Sequence, residues 1–270
     1  MQMILRDWVH AAGRVLTRGL LYPRWRDRRS VSWTYVQLYR LGKWLTEQEE
    51  LNALQALVKP GMVIADIGAN VGFYTIKMAS KVGVSGRIFA FEPDAFSFGL
   101  LQYRIRSAGA KNIEAHQLAI GDKTGPAVLY SSTYNRADNR LSKSHRESNV
   151  EANEVQVCAL DEFMSSRRVQ RLDGLKIDVQ GAEEQVLRGA QVILERGLRW
   201  IWIEFSPDHL RGAGTDPERF LKRLSDLGME IFEISGNGQL QAVPGFEGYT
   251  QRIGSRYTDL VLLTRHMSEG

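Results

Sequence analysis

Short apolar runs alternate with amphipathic stretches along the chain after Gly61. Buried strands produce short apolar runs bounded by turn residues, and surface helices place apolar residues three and four positions apart. The predicted strands are Met62–Ile67, Arg87–Phe91, Ile113–Ile120, Leu175–Val179, Trp200–Phe205, Met229–Ile234 and Thr258–Thr264. The predicted helices between them are Phe73–Lys81, Phe96–Ser107, Ala182–Glu195 and Pro217–Leu227. This alternation indicates a doubly wound α/β fold with a mostly parallel sheet.

A polar stretch interrupts the alternation at residues 131–154, between two further predicted strands at Ala127–Tyr130 and Val155–Ala159. It is rich in Ser, Asn, Arg and Glu and has no apolar period. Polar loops of this length are often functional, and some close over a bound ligand. Two interpretations stay open: a lid over the site, or a mobile surface loop.

The first 46 residues differ from the rest of the chain. Residues 1–45 carry nine Arg and Lys side chains against two acids, whereas the remainder carries 26 basic and 29 acidic residues. Apolar residues recur at helical spacing between Ile4 and Leu20, and a second helix is predicted from Glu47 to Val58. We therefore predict a basic helical extension at residues 1–46 and one catalytic or binding domain at residues 47–270.

Composition limits the class of protein. The chain has 270 residues, of which 43% are hydrophobic and 24% charged, and this balance excludes a mainly disordered chain. Its single cysteine, Cys158, excludes an intrachain disulfide and favours a reducing compartment. No apolar run approaches the roughly 20 residues that span a bilayer. A cytoplasmic location is predicted, with contact at the inner membrane surface through the basic extension as an option.

A glycine-rich turn follows the first predicted strand and reads Asp66-Ile67-Gly68-Ala69-Asn70-Val71-Gly72. A dinucleotide fingerprint would need glycines at positions 70 and 73, and a phosphate-binding P-loop is also absent. The acid at position 66 would repel phosphate, but it suits a ligand with an amino group and a cationic sulfur. Those properties fit S-adenosylmethionine; a tight turn without any ligand is the alternative.

The second predicted strand ends in Phe91-Glu92-Pro93, and Glu92 lies twenty residues past Gly72. In doubly wound folds an acid at this place holds the two hydroxyls of a ribose. A carboxylate can accept hydrogen bonds from both hydroxyls at once. The following Asp94 is suited to capping the next helix, which leaves Glu92 available for a ligand.

Three motifs in this order resemble the FkbM family of S-adenosylmethionine-dependent methyltransferases. They are Asp66–Gly72, Phe91-Glu92-Pro93 and the segment Leu175–Glu183, and the resemblance extends from about Val58 to Thr264. It implies a Rossmann-like class I methyltransferase domain with a seven-stranded sheet whose last strand is antiparallel. It also implies methyl transfer, usually to a hydroxyl of a sugar or a natural product. One position departs from the family pattern, because Gln180 stands where an acid is usual.

The resemblance also implies roles for individual residues. Asp66, Gly68, Asn70 and Gly72 are expected around the methionine part of the cofactor, and Glu92 is expected at the ribose. The end of the third predicted strand, His116–Ala119, is expected to edge the adenine. Its candidate residues are Gln117 and Ala119.

Methyl transfer to an alcohol requires a group that takes the hydroxyl proton, or a metal ion that assists its loss. Ligands in open α/β sheets lie beyond the carboxyl ends of the strands. The candidate catalytic residues are therefore Asp178 after the fourth strand, and Glu204 and His209 at the end of the fifth. Asp178, Glu183 and Glu204 together have oxygens suited to Mg²⁺, but no spacing requires a metal, and none is predicted.

The expected partner is a small-molecule or saccharide acceptor, which could be anionic and contact the basic extension. Two other function classes stay open. A nucleic-acid methyltransferase would explain the basic extension. However, the chain lacks an Asn/Asp-Pro-Pro-Tyr/Phe motif, and Cys158 is not in a Pro-Cys loop. A non-catalytic cofactor-binding module with a membrane-surface helix is the other alternative.

Overall fold

The structure is a computed structural model that describes residues 47–132, residue 141 and residues 150–264. The predicted basic extension at residues 1–46 lies outside the described residues, and so does most of the polar stretch between positions 133 and 149. None of the helices in the described ranges is long and apolar enough to cross a membrane.

The described strands are β1 (Val63–Ile67), β2 (Arg87–Phe91), β3 (Ile113–His116), β4 (Ala119–Gly121), β5 (Gly125–Ser132), β6 (Val150–Ala159), β7 (Gly174–Ile177), β8 (Trp200–Phe205), β9 (Glu230–Ser235), β10 (Gln239–Ala242) and β11 (Thr258–Leu263). The described α-helices are α1 (Gln48–Leu57), α2 (Phe73–Val82), α3 (Ala95–Ala108), α4 (Leu160–Ser166), α5 (Glu183–Arg188), α6 (Gln191–Arg196), α7 (Pro207–Gly212), α8 (Pro217–Asp226) and α9 (Tyr249–Ile253).

Eight strands form the main sheet in the order β10-β9-β11-β8-β7-β1-β2-β3. Five neighbouring strands, β8, β7, β1, β2 and β3, are parallel to one another. Strand β11 lies between β8 and β9 and is antiparallel to both. This confirms the predicted doubly wound, mostly parallel sheet with an antiparallel last strand. The strand β10 adds an eighth member, because it folds back on β9 through a tight turn at Gly236–Gly238.

The strand predicted at Ile113–Ile120 is wrong as a single element. It is two strands in different sheets, since β3 ends at His116 and β4 pairs with β6 in a three-stranded sheet of order β4-β6-β5. The apolar run Leu118-Ala119-Ile120 begins only two residues after His116, so periodicity alone joined it to the preceding strand.

The helix predicted at Ala182–Glu195 is also wrong as a single element, because it divides into α5 and α6 around Gly189. At that point the chain packs against the small sheet. A Cβ on Gly189 would lie 1.9 Å from the carbonyl oxygen of Gly121. The break lies at this contact between the helical segment and the small sheet, which a helical pattern does not record.

Successive side chains of a strand point to opposite faces of the sheet, so the core of the main sheet consists of two layers, one on each face. In β8, Ile201 and Ile203 belong to the larger layer, while Trp200 and Trp202 belong to the other. Helix α1 covers the tryptophan layer through three buried leucines. Because both faces are covered, ligands can approach the sheet only at its edges or at the ends of its strands.

We predict that Gly189→Ala lowers the free energy of unfolding by about 2–3 kcal/mol, because the added methyl group collides with backbone that cannot rotate away. Urea unfolding followed by circular dichroism measures the change. The matched control is Gly99→Ala in helix α3, where a Cβ meets nothing within 4 Å. It should leave stability unchanged or raise it by up to about 1 kcal/mol. Equal effects of the two substitutions would contradict the close packing at Gly189.

Candidate functional site

The candidate residues gather where β1, β2, β7 and β8 end. In the register of the sheet, Ile67 lies beside both Phe91 and Ile177. The residues that follow these three positions are Gly68, Glu92 and Asp178. Since neighbouring parallel strands end at one edge, the turns after them come together there.

The turn after β1 is fixed by the ends of both neighbouring strands. The backbone N–H groups of Gly68 and Ala69 both donate to the carbonyl oxygen of Phe91, at 3.0 and 2.9 Å. On the other side, the N–H of Asp178 donates to the carbonyl oxygen of Ile67 at 3.0 Å. Gly68 has φ +82°, and a Cβ there would lie 1.8 Å from the carbonyl oxygen of Asp178. Only glycine fits this position.

The rest of the turn continues in left-handed backbone. Asn70 has φ +50°, and its side-chain oxygen accepts the N–H of Val71 at 2.7 Å. Gly72 has φ +77° and directly precedes α2. A Cβ on Gly72 would lie 2.5 Å from a methyl carbon of Leu101. Asn70 and Gly72 therefore shape the turn through their backbone conformations. Helix α2 begins directly after Gly72.

Glu92 is tied to this turn by its carboxylate. One oxygen accepts the N–H of Asn70 at 2.8 Å, and the other accepts the N–H of Asp94 at 2.9 Å. The side chain is only 5% exposed. Burial raises the pKa of Glu92 to about 8, although both backbone hydrogen bonds act to lower it. Each oxygen still has a lone pair that a ligand hydroxyl could use.

Asp94 caps helix α3, as predicted. Its side chain accepts the N–H of Ser97 at 2.9 Å. The capping role and the carboxylate that faces the glycine turn therefore belong to two different residues, Asp94 and Glu92.

Asp66 is buried within β1 and faces helix α2. It accepts a hydrogen bond from the hydroxyl of Thr75 at 2.6 Å, while its other oxygen has no hydrogen-bond partner within the described ranges. The ammonium of Lys176 lies 3.9 Å from that second oxygen. Burial raises the pKa of Asp66, and the charge of Lys176 opposes the rise.

Lys176 is a site residue that the sequence analysis did not assign. It is a buried lysine whose ammonium lies 3.4 Å from Asp178 Oδ2 and 4.8 Å from the ring centre of Tyr74. The Tyr74 hydroxyl donates in turn to Glu47. A charged residue inside the apolar run Leu175-Lys176-Ile177 is the signal that could have identified it, since buried lysines require partners.

Asp178 and Glu204 are joined through Gln180. The side-chain nitrogen of Gln180 donates to Asp178 Oδ1 at 3.0 Å and to Glu204 Oε2 at 2.6 Å. The Asp178 side chain is 28% exposed, so it is open to solvent in part. Two of the three predicted catalytic residues are therefore in one hydrogen-bonded group at the carboxyl end of the sheet.

His209, the third predicted catalytic residue, lies in the short helix α7. Its backbone packs on the turn that contains Gln180, because a Cβ on Gly181 would lie 2.5 Å from the His209 carbonyl oxygen. Its side chain is half-buried. The role of His209 as a base stays a prediction.

The two residues predicted at the adenine lie apart from the turn. Gln117 is exposed between β3 and β4, at the edge where Glu92 N–H meets the carbonyl oxygen of His116. Ala119 is buried in the small sheet, packed with Leu129 and Val157. Any contact of Ala119 with a ligand must therefore use its backbone.

Glu183 is buried at the start of α5, where it accepts the N–H of Gly181 at 3.0 Å. Burial raises the pKa of Glu183 to about 7. This hydrogen bond holds the turn at Gly181 and does not involve Asp178 or Glu204. Within the described ranges, no three His, Cys, Asp or Glu side chains form a group that could hold a metal ion.

Comparison with known proteins extends over most of the domain. The chain is 23% identical over 234 residues to hexuronic acid methyltransferase AglP of Haloferax volcanii, which covers 86% of this chain and 91% of that protein. It is 27% identical over 167 residues to 2-O-methyltransferase NoeI of Sinorhizobium fredii, covering 57% of this chain and 67% of that protein.

Other similar proteins are longer than the matched region. Methyltransferase 1 of Beauveria bassiana is 30% identical over 143 residues, which are 47% of this chain and 57% of that protein. A crystal structure of methyltransferase FkbM from Methylobacillus flagellatus superposes with a TM-score of 0.47 at 16% identity. That match covers 94% of this chain but only 58% of the other.

The model of the methyltransferase FkbM domain family matches residues 66–231, from the acid before the glycine turn to the second residue of β9. This range contains all three motifs and more than half of the chain. The predicted family is therefore confirmed, together with its cofactor: the chain belongs to the FkbM family of S-adenosylmethionine-dependent methyltransferases.

Proposed function

We propose that this protein transfers a methyl group from S-adenosylmethionine to a hydroxyl of a sugar or of a sugar-containing small molecule. The observation that carries the proposal is the meeting of two groups at one sheet edge. Glu92 is hydrogen-bonded to the glycine turn, and the carboxylates of Asp178 and Glu204 follow the neighbouring strands. The names of two relatives, a hexuronic acid methyltransferase and a 2-O-methyltransferase, support the choice of acceptor.

The residues around the turn fit the cofactor. At Gly68 a Cβ would collide with the carbonyl oxygen of Asp178, so glycine keeps this turn in its shape, and Glu92 is a buried acid that keeps an acceptor site on each oxygen. We infer that Glu92 holds the ribose hydroxyls and that Asp66, Gly68, Asn70 and Gly72 surround the methionine part. Gln117 and the backbone of Ala119 are proposed at the adenine. When bound, the cofactor supplies a methyl group that is already activated by the charge of its sulfonium.

Charge supports the same assignment. The described residues that meet at this edge are mainly acidic, with Asp66, Glu92, Asp178 and Glu204 on four strand ends and Lys176 between two of them. A surplus of acids favours a cationic ligand, whose charge also favours their ionisation, and opposes a phosphate-rich one. If the acceptor is anionic, its charge must be balanced from elsewhere, and residues 1–46 have the arginines to do so.

The acceptor hydroxyl has to lose its proton, and we propose that Asp178 takes it. Asp178 is partly exposed, whereas Asp66 and Glu92 are almost fully buried. Glu204 would accept a second hydroxyl of the same sugar, since adjacent carboxylates suit adjacent hydroxyls. His209, on the helix that packs against this turn, is the second candidate for the base.

We predict that Glu92→Gln becomes more stable relative to the unmodified protein as pH rises. Burial raises the pKa of Glu92 to about 8 from 4.5, so the unfolded chain releases this proton first, and ionisation costs the folded state stability between these values. The difference in free energy of unfolding should change in favour of Glu92→Gln by about 2–4 kcal/mol between pH 5 and pH 8. Urea unfolding at both pH values measures it. Glu195→Gln, on an exposed position of α6, should show no such trend.

The affinity for S-adenosylhomocysteine should rise with pH up to about 8. Accepting two ribose hydroxyls requires the ionised form of Glu92, so binding below its pKa releases a proton. The dissociation constant should fall by a factor that approaches ten per pH unit between pH 6 and 7.5. Calorimetry in two buffers of different ionisation enthalpy measures both quantities. A pH-independent affinity without proton release would remove Glu92 from the ribose.

Asp178→Asn should lower turnover by at least about 100-fold and change the affinity for S-adenosylhomocysteine less than about threefold, because a lost base affects proton transfer alone. The assay follows labelled methyl transfer from S-adenosylmethionine to methyl glycosides of a neutral hexose, a 6-deoxyhexose and a hexuronic acid. Asp208→Asn, an exposed acid on α7, is the control. Unchanged turnover in Asp178→Asn would contradict the assignment, and no labelled glycoside with the unmodified protein would contradict a sugar acceptor.

A further inference from the structure

Gln180 lies between Asp178, the proposed base, and Glu204, and its residue type departs from the pattern that the resemblance implies. The resemblance predicts an acid at this position, and the chain has an amide instead. Its backbone is also unusual, with φ +57°. Positive φ is uncommon for residues other than glycine and is found at functional sites when the surroundings enforce it.

The side chain of Gln180 bridges two carboxylates. Its nitrogen carries two hydrogens, and both are used, one toward Asp178 Oδ1 at 3.0 Å and one toward Glu204 Oε2 at 2.6 Å. Both carboxylate oxygens therefore lie around a single nitrogen. Two like charges this close would favour retention of a proton between them if no donor separated them.

Other acids near Asp178 add to the repulsion between the carboxylates of Asp178 and Glu204, and one lysine opposes it. Lys176 neutralises the side of Oδ2, at 3.4 Å. The negative charge of Asp178 contributes to the raised pKa values of four neighbouring acids, which are Asp66, Glu92, Glu183 and Asp259. Glu204 is also opposite Asp259 in the pairing of β8 with β11. On the side of Oδ1, the amide of Gln180 donates at 3.0 Å.

The turn alone does not account for glutamine. Asparagine tolerates left-handed backbone better than glutamine does, and Asn70 and Asn237 occupy it in this same chain. Asparagine is shorter by one methylene, roughly 1.5 Å, so its amide would not reach both carboxylates. Glutamate has the right length but no donor when it is ionised.

We infer that Gln180 is a positioning residue whose amide holds Asp178 and Glu204 together as two ionised carboxylates. The inference rests on the proposed function, in which Asp178 takes the acceptor proton. A base must be unprotonated to act, so the amide makes deprotonation of the acceptor available at neutral pH. An acid at position 180 would place three carboxylates in contact, and that group would retain a proton.

Three variants test this inference. Gln180→Asn keeps an amide and suits the backbone but cannot bridge, Gln180→Glu keeps the length but removes the donor, and Gln191→Glu makes the same charge change on an exposed position of α6. Carboxyl signals of protein labelled with ¹³C in the Asp and Glu side-chain carboxyls are followed by NMR from pH 5.5 to 9. Substitution of each acid assigns the signals.

In the unmodified protein, the signals of Asp178 and Glu204 should keep the positions of ionised carboxylates from pH 6 to 9. In Gln180→Glu, the three carboxyl groups of residues 178, 180 and 204 should together take up one proton as pH falls from 9 to 6. In Gln180→Asn, Asp178 and Glu204 should take up less than one proton, with a midpoint at least about one pH unit below that of Gln180→Glu. Gln191→Glu should behave as the unmodified protein. A midpoint of thermal unfolding within about 2 °C for Gln180→Asn would separate the bridge from a structural role.

The inference is overturned if the cluster in Gln180→Glu stays fully ionised down to pH 6, or if the unmodified protein already holds a proton between Asp178 and Glu204. Neither result needs an acceptor, so both differ from failure of the proposed function, which would appear as absent cofactor binding or absent methyl transfer. With a glycoside that is turned over, the acid limb of the pH profile of Gln180→Glu should move upward by at least about one unit. The affinity for S-adenosylhomocysteine should stay within about threefold.

Discussion

The site depends on one backbone contact, where the turn after β1 crosses the turn after β7. Gly68 lies so close to the carbonyl of Asp178 that no methyl group would fit between them, and the N–H of Asp178 donates to the carbonyl oxygen of Ile67. The same turn is bound on its other side to the end of β2, through Phe91 and the carboxylate of Glu92. The residues assigned to the cofactor and the residue assigned to the acceptor proton therefore share one rigid piece of backbone.

Much of this arrangement could be predicted from local sequence, because its signals are local. The apolar run of β1 leads into glycines that the turn requires, and Glu92 directly follows the buried β2. Asp94 as the cap of α3 was predicted for the same reason, since caps depend on the few residues that follow them.

The features that escaped prediction depend on contacts between distant segments. The split of β3 from β4 follows from pairing with β6, and the break at Gly189 follows from contact with Gly121. The bridge from Gln180 to Glu204 joins the turn after β7 to strand β8, so the local sequence around Gln180 did not reveal its partner. Lys176 was visible as a charge in an apolar run, but only the fold brings Asp66 and Tyr74 to it.

Burial at this edge has a cost to the folded state. Glu92 and Glu183 have pKa values raised to about 8 and about 7, and Asp259, which accepts the indole N–H of Trp202, has one raised to about 6. In each case desolvation is the largest cause. Glu92 is the one of the three that is proposed to bind the cofactor, so its cost is an exchange of stability for activity, whereas Glu183 and Asp259 hold the turn at Gly181 and the indole of Trp202.

The contact between Gly68 and Asp178 also bears on how new acceptor preferences could arise. A change in the backbone of the turn after β1 displaces the turn after β7. The residues of these two turns, which are proposed to hold the cofactor and the base, therefore tolerate few substitutions. Helix α7 packs against this unit at Gly181, and it carries exposed side chains such as Arg211. Randomised libraries that seek activity on other sugars are therefore better directed at α7 than at residues 66–72 or 176–181.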